Sequence, residues 1–234
     1  MKPIYLTVVG LAALIQCSLA SKLIDETINL TRNQEIFINL KFADKVNVIP
    51  ISGNKVSIKG EVEVNGGESD EAYSIEIDES DHRLNVESKL IEKPKHYRIV
   101  TIVNENGDIK TSNHTIDIRA TFDVFIPTGR TLHLKSINAS MNLKDQEAPL
   151  TVETINGEID LQLPKDADID LVAKTVHGEC YTNLDFQRLD TKNGLERIGG
   201  NRAKARLNKG GTPIHLKTIN GYMYVRELSE EDEG

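Results

Sequence analysis

Apolar and polar residues alternate with a period of two along most of the chain. The segment KVNVIPISGNKVSIKGEVEVNG (45–66) shows this alternation clearly, and 72–88 continues it. A period of two places successive side chains on opposite faces of a strand, so both segments are predicted to be β-strands. The stretch 21–40 is also predicted to be strand. No window has the period of a helix, and the predicted fold class is therefore all-β.

The alternation also runs through 96–127, where Asn106-Gly107 interrupts it. Asn-Gly is a preferred pair for the tight turn between two antiparallel strands. This segment is therefore predicted to be a long hairpin insertion with Asn106-Gly107 near its tip.

A nine-residue pattern recurs in the second half of the chain, as KSINASMNL (135–143), ETINGEIDL (153–161), KTVHGECYT (174–182) and KTINGYMYV (217–225). Its copies are separated by 18, 21 and 43 residues, and the last interval predicts a degenerate copy near Ile198. A period of about 20 residues is typical of coils that stack one strand at a time. The repeat predicts a single-stranded β-solenoid, with a β-sandwich as the alternative.

Each copy bends at a polar residue that is followed by a small one. The polar positions are Asn138, Asn156, His177 and Asn220, and the small ones are Ala139, Gly157, Gly178 and Gly221. Asn amides can pair from one level to the next, and glycine is the low-cost residue where φ is positive. We expect a structural turn ladder in this order, with levels about 4.8 Å apart and with 217–225 as the last level. A ligand-binding ladder is the alternative.

Residues 1–20 have the features of a secretory signal peptide. Lys2 precedes an apolar run at 4–15, and cleavage is expected after Ala20. The run is too short for a comfortable membrane span, and the mature chain is expected to have no transmembrane span. A lipidated Cys17 is the alternative.

The mature chain is predicted to be one β domain at 21–226 with an acidic, disordered tail at 227–234. The whole chain has 36 acidic and 28 basic side chains and a formal net charge of −8. This balance argues against nucleic acid as a partner. Cys180 is the only cysteine after residue 20. It occupies the same position of the repeat as Met141, Ile159 and Met223, whose side chains are predicted to face the core, so a buried, unreactive thiol is predicted.

The chain shows no pattern for catalysis, cofactors or metal. None of its six histidines pairs with another at metal-ligand spacing, and no phosphate loop or nucleophile motif occurs. Four carboxylates could form a paired acid site of the glycosidase kind: Glu158, Asp160, Glu179 and Asp185. The competing interpretation is an ordinary solvated strand face. Tyr181, Tyr222 and Tyr224 could instead form an exposed face that stacks on sugars or anchors a protein.

Three segments carry a family resemblance: 124–138, 152–164 and 208–227, the last including Gly210-Gly211. They resemble the bacterial putative-adhesin family, exported β-solenoid proteins of unassigned function that are similar to auto-transporter adhesin heads. The resemblance implies the fold and supplies no catalytic residue. This chain departs from the family pattern at two positions, where Ala139 replaces Gly and His177 replaces Asn.

The expected function is that of an exported, non-catalytic adhesion or scaffolding module in the periplasm or at the cell surface. Its expected partner is a glycan or an envelope protein, bound through an exposed strand face, and no cofactor is expected. The alternatives are a carbohydrate-active enzyme and an accessory protein of an envelope regulatory system.

Overall fold

The computed structural model describes residues 21–31, 34–91, 98–103, 109–146, 148–189 and 202–228. Three predicted features lie outside these residues: the signal peptide, the hairpin tip at Asn106-Gly107 and the centre of the degenerate copy at Ile198. The acidic tail also falls largely outside them, because Leu228 is the last residue described.

Nineteen strands and a single turn of 3-10 helix at Asp70–Ala72 form the described part of the chain. The strands are β1 (Lys22–Asn29), β2 (Glu35–Asn39), β3 (Lys45–Ile51), β4 (Lys55–Val64), β5 (Tyr73–Glu79), β6 (Arg83–Leu90), β7 (Arg98–Val103), β8 (Ile109–Thr115), β9 (Ile118–Pro127), β10 (Leu132–Lys135), β11 (Ser140–Lys144), β12 (Leu150–Glu153), β13 (Ile159–Leu163), β14 (Ile169–Lys174), β15 (Cys180–Thr182), β16 (Gln187–Arg188), β17 (Arg202–Leu207), β18 (Thr212–Lys217) and β19 (Met223–Glu227).

The strands form two mixed sheets. Sheet I has the order β1-β4-β9-β3-β11-β13-β19-β15, and sheet II has the order β16-β17-β14-β18-β12-β10-β2-β6-β5. The all-β prediction is confirmed, and so is the strand assignment within 21–40. A layout of two sheets is compatible with the β-sandwich alternative, and the solenoid description stays a proposal.

The predicted hairpin at 96–127 is shorter than expected. Only β7 and β8 pair with each other, as an antiparallel two-stranded sheet. Strand β9 leaves the hairpin and joins sheet I, where it lies between β3 and β4. The apolar alternation of β9 reflects its burial in sheet I, where Phe122 and Val124 face the core.

Each repeated segment contributes one strand to each sheet, and we call the two strands of one segment a level. The strand before the turn lies in sheet II and the strand after it lies in sheet I, and all these strands pair in parallel. Equivalent apolar residues are aligned across the levels; in sheet I the aligned set is Met141, Ile159, Met223 and Cys180. Antiparallel strands flank the parallel block at both ends, with β1, β4 and β5 at one end and β16 and β17 at the other.

The spatial order of the levels differs from their order along the chain. The pair β18 and β19 lies between the β12–β13 level and the β14–β15 level. The expectation that 217–225 is the last level is therefore wrong. The segment 196–207 does not supply a further parallel level either, because its described part, β17, runs antiparallel to β14.

The turn 208–211 explains this order. It carries the chain from β17, on one side of β14, across the start of β14 to β18 on the other side. Positive φ values at Asn208, Gly210 and Gly211 make so tight a crossing possible. The Asn208 amide donates to the carbonyls of Lys165 and Ala167, at 3.0 and 2.9 Å, and holds the turn in place.

A single hydrophobic cluster fills the space between the two sheets. It includes buried side chains from nearly every level of both sheets, among them Leu134 and Val152 from sheet II and Leu143 and Leu161 from sheet I. Because side chains alternate along each strand, the residues between them point away from the core and form the two outer faces. These outer faces carry the candidate functional groups.

Candidate functional site

The predicted turn residues lie at one corner between the sheets. The Asn156 amide donates to Asn138 at 2.9 Å, and the Asn220 amide donates to Asn156 at 2.8 Å. His177 forms a parallel backbone bridge with Asn220. The order in space is thus Asn138, Asn156, Asn220 and His177, which corrects the sequence order.

The glycines at this corner are needed for close approach of the backbone. The expected positive φ occurs at Gly178, where φ is 156°, and not at Gly157 or Gly221. A Cβ on Gly221 would lie 2.9 Å from the carbonyl carbon of Gly157 and closer still to its oxygen. Gly157 meets Ala139 and Gly178 meets Gly221 in the same way. The corner beneath Ala139 is formed by residues 40–44, which join β2 to β3.

Buried threonine hydroxyls form hydrogen bonds between neighbouring levels at the same corner. Each donates to the carbonyl of the small residue in the level beneath: Thr154 to Ala139 at 3.3 Å, Thr218 to Gly157 at 3.1 Å, and Thr175 to Gly221 at 3.2 Å. All three threonines are buried. These bonds satisfy carbonyls that would otherwise be unpaired away from water, so this part of the corner serves the fold.

Apolar residues lie exposed beside the Asn row. Ile137, Ile155 and Val176 are 37%, 39% and 48% exposed. Each of them directly precedes the polar turn residue in its copy of the repeat, and an apolar residue at a repeated position suggests burial. The structure places them outside the core because the chain turns the corner between the buried hydroxyl and the small residue that follows the polar position.

The three tyrosines come together on the outer face of sheet I. Tyr181 and Tyr224 stack with ring centroids 5.7 Å apart and planes inclined by 17°. Tyr222 lies 6.1 Å from Tyr181. The register of β15 on β19 causes the first contact, because Tyr181 is paired directly with Tyr224. Tyr181 and Tyr222 remain 46% and 44% exposed, so the cluster presents aromatic surface to solvent at the edge of the sheet.

Carboxylates surround the tyrosine cluster. The registers of β13, β19 and β15 place Glu158, Tyr222 and Glu179 side by side. The Tyr181 hydroxyl donates to Glu179, and mainly this bond raises the pKa of Tyr181 to about 12. Asp160 is held by Arg226, whose Nε lies 2.9 Å from Oδ1 and whose second nitrogen contacts Oδ2. The side chains of Arg226 and Asp160 thus form an ion pair between neighbouring strands, and the repeated positions in the sequence do not predict it.

The fourth carboxylate lies elsewhere. Asp185 lines a cavity of about 430 Å³ beyond the β14–β15 level, together with Cys180 and Phe186. Cys180 is only partly buried, which corrects the expectation of a fully buried thiol. The reason is that β15 is the edge strand of sheet I, so no further strand of the described residues covers it. Burial nevertheless raises the pKa of the Cys180 thiol to about 11.

Within the described ranges, no three His, Cys, Asp or Glu side chains are grouped as metal ligands. None of the residues that the structure describes forms a helix of the length and apolarity needed to cross a bilayer.

No protein-family model matches the chain, and no curated protein matches its sequence. Solved structures of several bacterial proteins show some similarity. A putative cell adhesion protein from Clostridium sporogenes is 14% identical with a TM-score of 0.47, and the alignment covers 88% of this chain and 100% of that one. Putative adhesins from Bacteroides fragilis and Parabacteroides distasonis are 10% and 11% identical with TM-scores of 0.22 and 0.23. Their alignments cover 88% and 89% of this chain and 97% and 98% of theirs. At these scores the similarities do not assign the chain to a family.

Proposed function

We propose that the chain is an exported, non-catalytic adhesion or scaffolding module that binds a glycan through the outer face of sheet I. The levels would form a β-solenoid whose interleaved order places β19 beside β15. The carrying observation is the cluster of Tyr181, Tyr222 and Tyr224 on this rigid sheet. Exposed aromatic rings offer flat apolar surface for sugar rings, at a low cost in side-chain entropy.

The surrounding carboxylates favour binding over hydrolysis. Asp160 is tied to Arg226, and Glu179 accepts the hydrogen bond from Tyr181. A catalytic acid pair needs two carboxyl groups that are free to act on the glycosidic bond. These two groups are instead engaged as acceptors, and as acceptors they suit sugar hydroxyls at the rim of a binding face.

A glycan array probed with the exported chain tests this proposal. Binding of at least one glycan is expected, and Tyr181→Ala with Tyr222→Ala should remove it. Leu23→Ala is the matched control, because Leu23 is 77% exposed on β1 at the opposite edge of the same sheet. Equal loss in the control and the tyrosine variant would contradict the proposal.

The same glycans should be followed for cleavage products. Turnover that disappears in Glu158→Gln or Asp160→Asn would establish the enzymatic alternative instead. A protein partner in the envelope is the remaining alternative, and binding of no glycan by the folded chain would favour it.

A further inference from the structure

The outer face of sheet II carries a row of positive charge that acidic side chains compensate only in part. Lys217 on β18, Lys174 on β14 and Arg202 on β17 are directly paired across three neighbouring strands. Lys204 lies two residues from Arg202, opposite Val172. All four basic side chains are exposed, and we call them the basic face. Their neighbours along the strands are buried or half-buried, so the four point away from the core.

Nearby acids neutralise the basic face only in part. Glu153 lies 3.3 Å from Lys135 and 3.8 Å from Lys217, and Asp170 lies 2.7 Å from Arg206. Among the residues that the structure describes, Lys174, Arg202 and Lys204 have no ion pair. The local charge is thus positive in a chain whose formal net charge is −8.

Protection of a sheet edge explains only part of the basic face. Lysine and arginine on edge strands discourage pairing with another chain. Among the described residues, β16 pairs with β17 opposite Arg206 and Ala205, and the Leu189 N–H donates to the Lys204 carbonyl at 2.8 Å, so β17 lies near the edge of sheet II. Lys174 and Lys217, however, lie on strands that are hydrogen-bonded on both sides. Like charges directly opposite each other destabilise a sheet, and edge protection does not account for that cost at β14 and β18.

We propose that the basic face binds an acidic polysaccharide, with carboxylate or sulfate groups laid across β18, β14 and β17. The row of three cations spans two inter-strand spacings, or roughly 10 Å. That spacing suits a polymer whose charges are separated by whole sugar rings, and the Arg202 fork can hold a carboxylate or sulfate with two hydrogen bonds.

Nucleic acid fits this face less well. Double-stranded DNA carries a charge every 1.7 Å or so along its axis, and a long polymer of that density would also meet the acidic surface of the rest of the chain. The basic face is separate from the tyrosine cluster, which lies on sheet I. The two proposals can therefore fail independently.

Titration with defined polymers tests the proposal. The probes are oligogalacturonate for carboxylate groups and dextran sulfate for sulfate groups, with neutral dextran and a single-stranded oligonucleotide for comparison. Binding of one or both acidic polymers is expected at 50 mM salt or thereabouts, weakening as salt screens the contacts.

The variants decide whether the basic face is responsible. The triple change Lys174→Gln, Arg202→Gln and Lys204→Gln should weaken binding by about tenfold or more, because three charge-assisted contacts are lost. The matched control Lys45→Gln, Lys55→Gln and Lys59→Gln makes the same change in net charge on exposed residues of sheet I. It should weaken binding by no more than about twofold, as expected of a long-range effect.

Three outcomes would overturn the proposal: equal losses in the two triple variants, tighter binding of the oligonucleotide than of either polysaccharide, or no binding of either acidic polymer. Lys174→Arg with Lys204→Arg checks the fold, because it keeps the charge and should keep the affinity. Tyr181→Ala should leave binding of the acidic polymers unchanged, which separates this site from the one on sheet I.

Discussion

Replacing Gly221 by alanine would place a methyl group against the backbone of the neighbouring level. The new Cβ would lie 2.9 Å from the carbonyl carbon of Gly157 and 3.1 Å from the Thr218 hydroxyl. Carbon atoms in contact prefer roughly 3.5–4.0 Å. The obstructing atoms include backbone, so side-chain rotation alone cannot relieve the clash and the two levels must move apart.

The cost follows from what that movement disturbs. Overpacking in a tight interior costs about 1–3 kcal/mol. Separation of the levels also lengthens the bond from Thr218 to the Gly157 carbonyl, now 3.1 Å, and the bond from the Asn220 N–H to the Ile155 carbonyl, now 2.7 Å. Each bond lost costs about 1 kcal/mol. We expect Gly221→Ala to lower the free energy of unfolding by about 2–4 kcal/mol.

Urea unfolding monitored by circular dichroism measures this difference. Gly129→Ala is the matched control, because Gly129 has a φ of 76° but no atom within 4 Å of the added Cβ. The control carries only the backbone strain, about 1 kcal/mol. If Gly221→Ala is no more destabilising than Gly129→Ala, the close approach of the levels does not determine the residue at this corner.

Four further results are expected. Asn156→Ala should destabilise more than Asn220→Ala in the same urea assay, because Asn156 makes side-chain hydrogen bonds to the levels on both sides; the reverse order would contradict the ladder. Cys180 should react slowly with a thiol reagent near neutral pH, because its pKa is raised to about 11; labelling as fast as in urea would contradict this. Burial lowers the pKa of His133 below 6.5, so the unfolded chain takes up the proton first. The free energy of unfolding should therefore fall as the pH drops from about 7 to 5, and a His133→Gln variant with the same slope would refute this cause. Intact mass of the exported protein should show Ser21 as the first residue, whereas a lipid adduct would contradict cleavage after Ala20.

The repeat columns predicted much of the local structure correctly. The period of two assigned strands where the structure has them, and the aligned Met141, Ile159 and Met223 are buried in register. These features follow from the alternation of side chains along a strand, which depends only on nearby residues. The row of Asn side chains could also be predicted, because each copy of the repeat carries a polar residue at the same position of its turn, but the order of the row could not.

The reason for glycine at the corner was not available from the sequence. Glycine permits both a positive φ and a close approach of two backbones. Its presence in the sequence does not show which of these two reasons applies. Only the position of Gly157 beneath Gly221 shows that the second cause applies. The same holds for Cys180, because partial exposure depends on whether another level covers β15.

Sequence alone determined which segments form strands, which side chains face inward and where each repeat turns. Tertiary structure decided the order of the levels. Residues at equivalent positions of the repeats are similar, so the sequence alone would allow either β14 or β18 to pair with β12. The turn at 208–211 and the antiparallel pairing of β17 with β14 select β18 as the neighbour of β12. That choice brings Tyr224 beside Tyr181 and Lys217 beside Lys174, and both candidate sites depend on it.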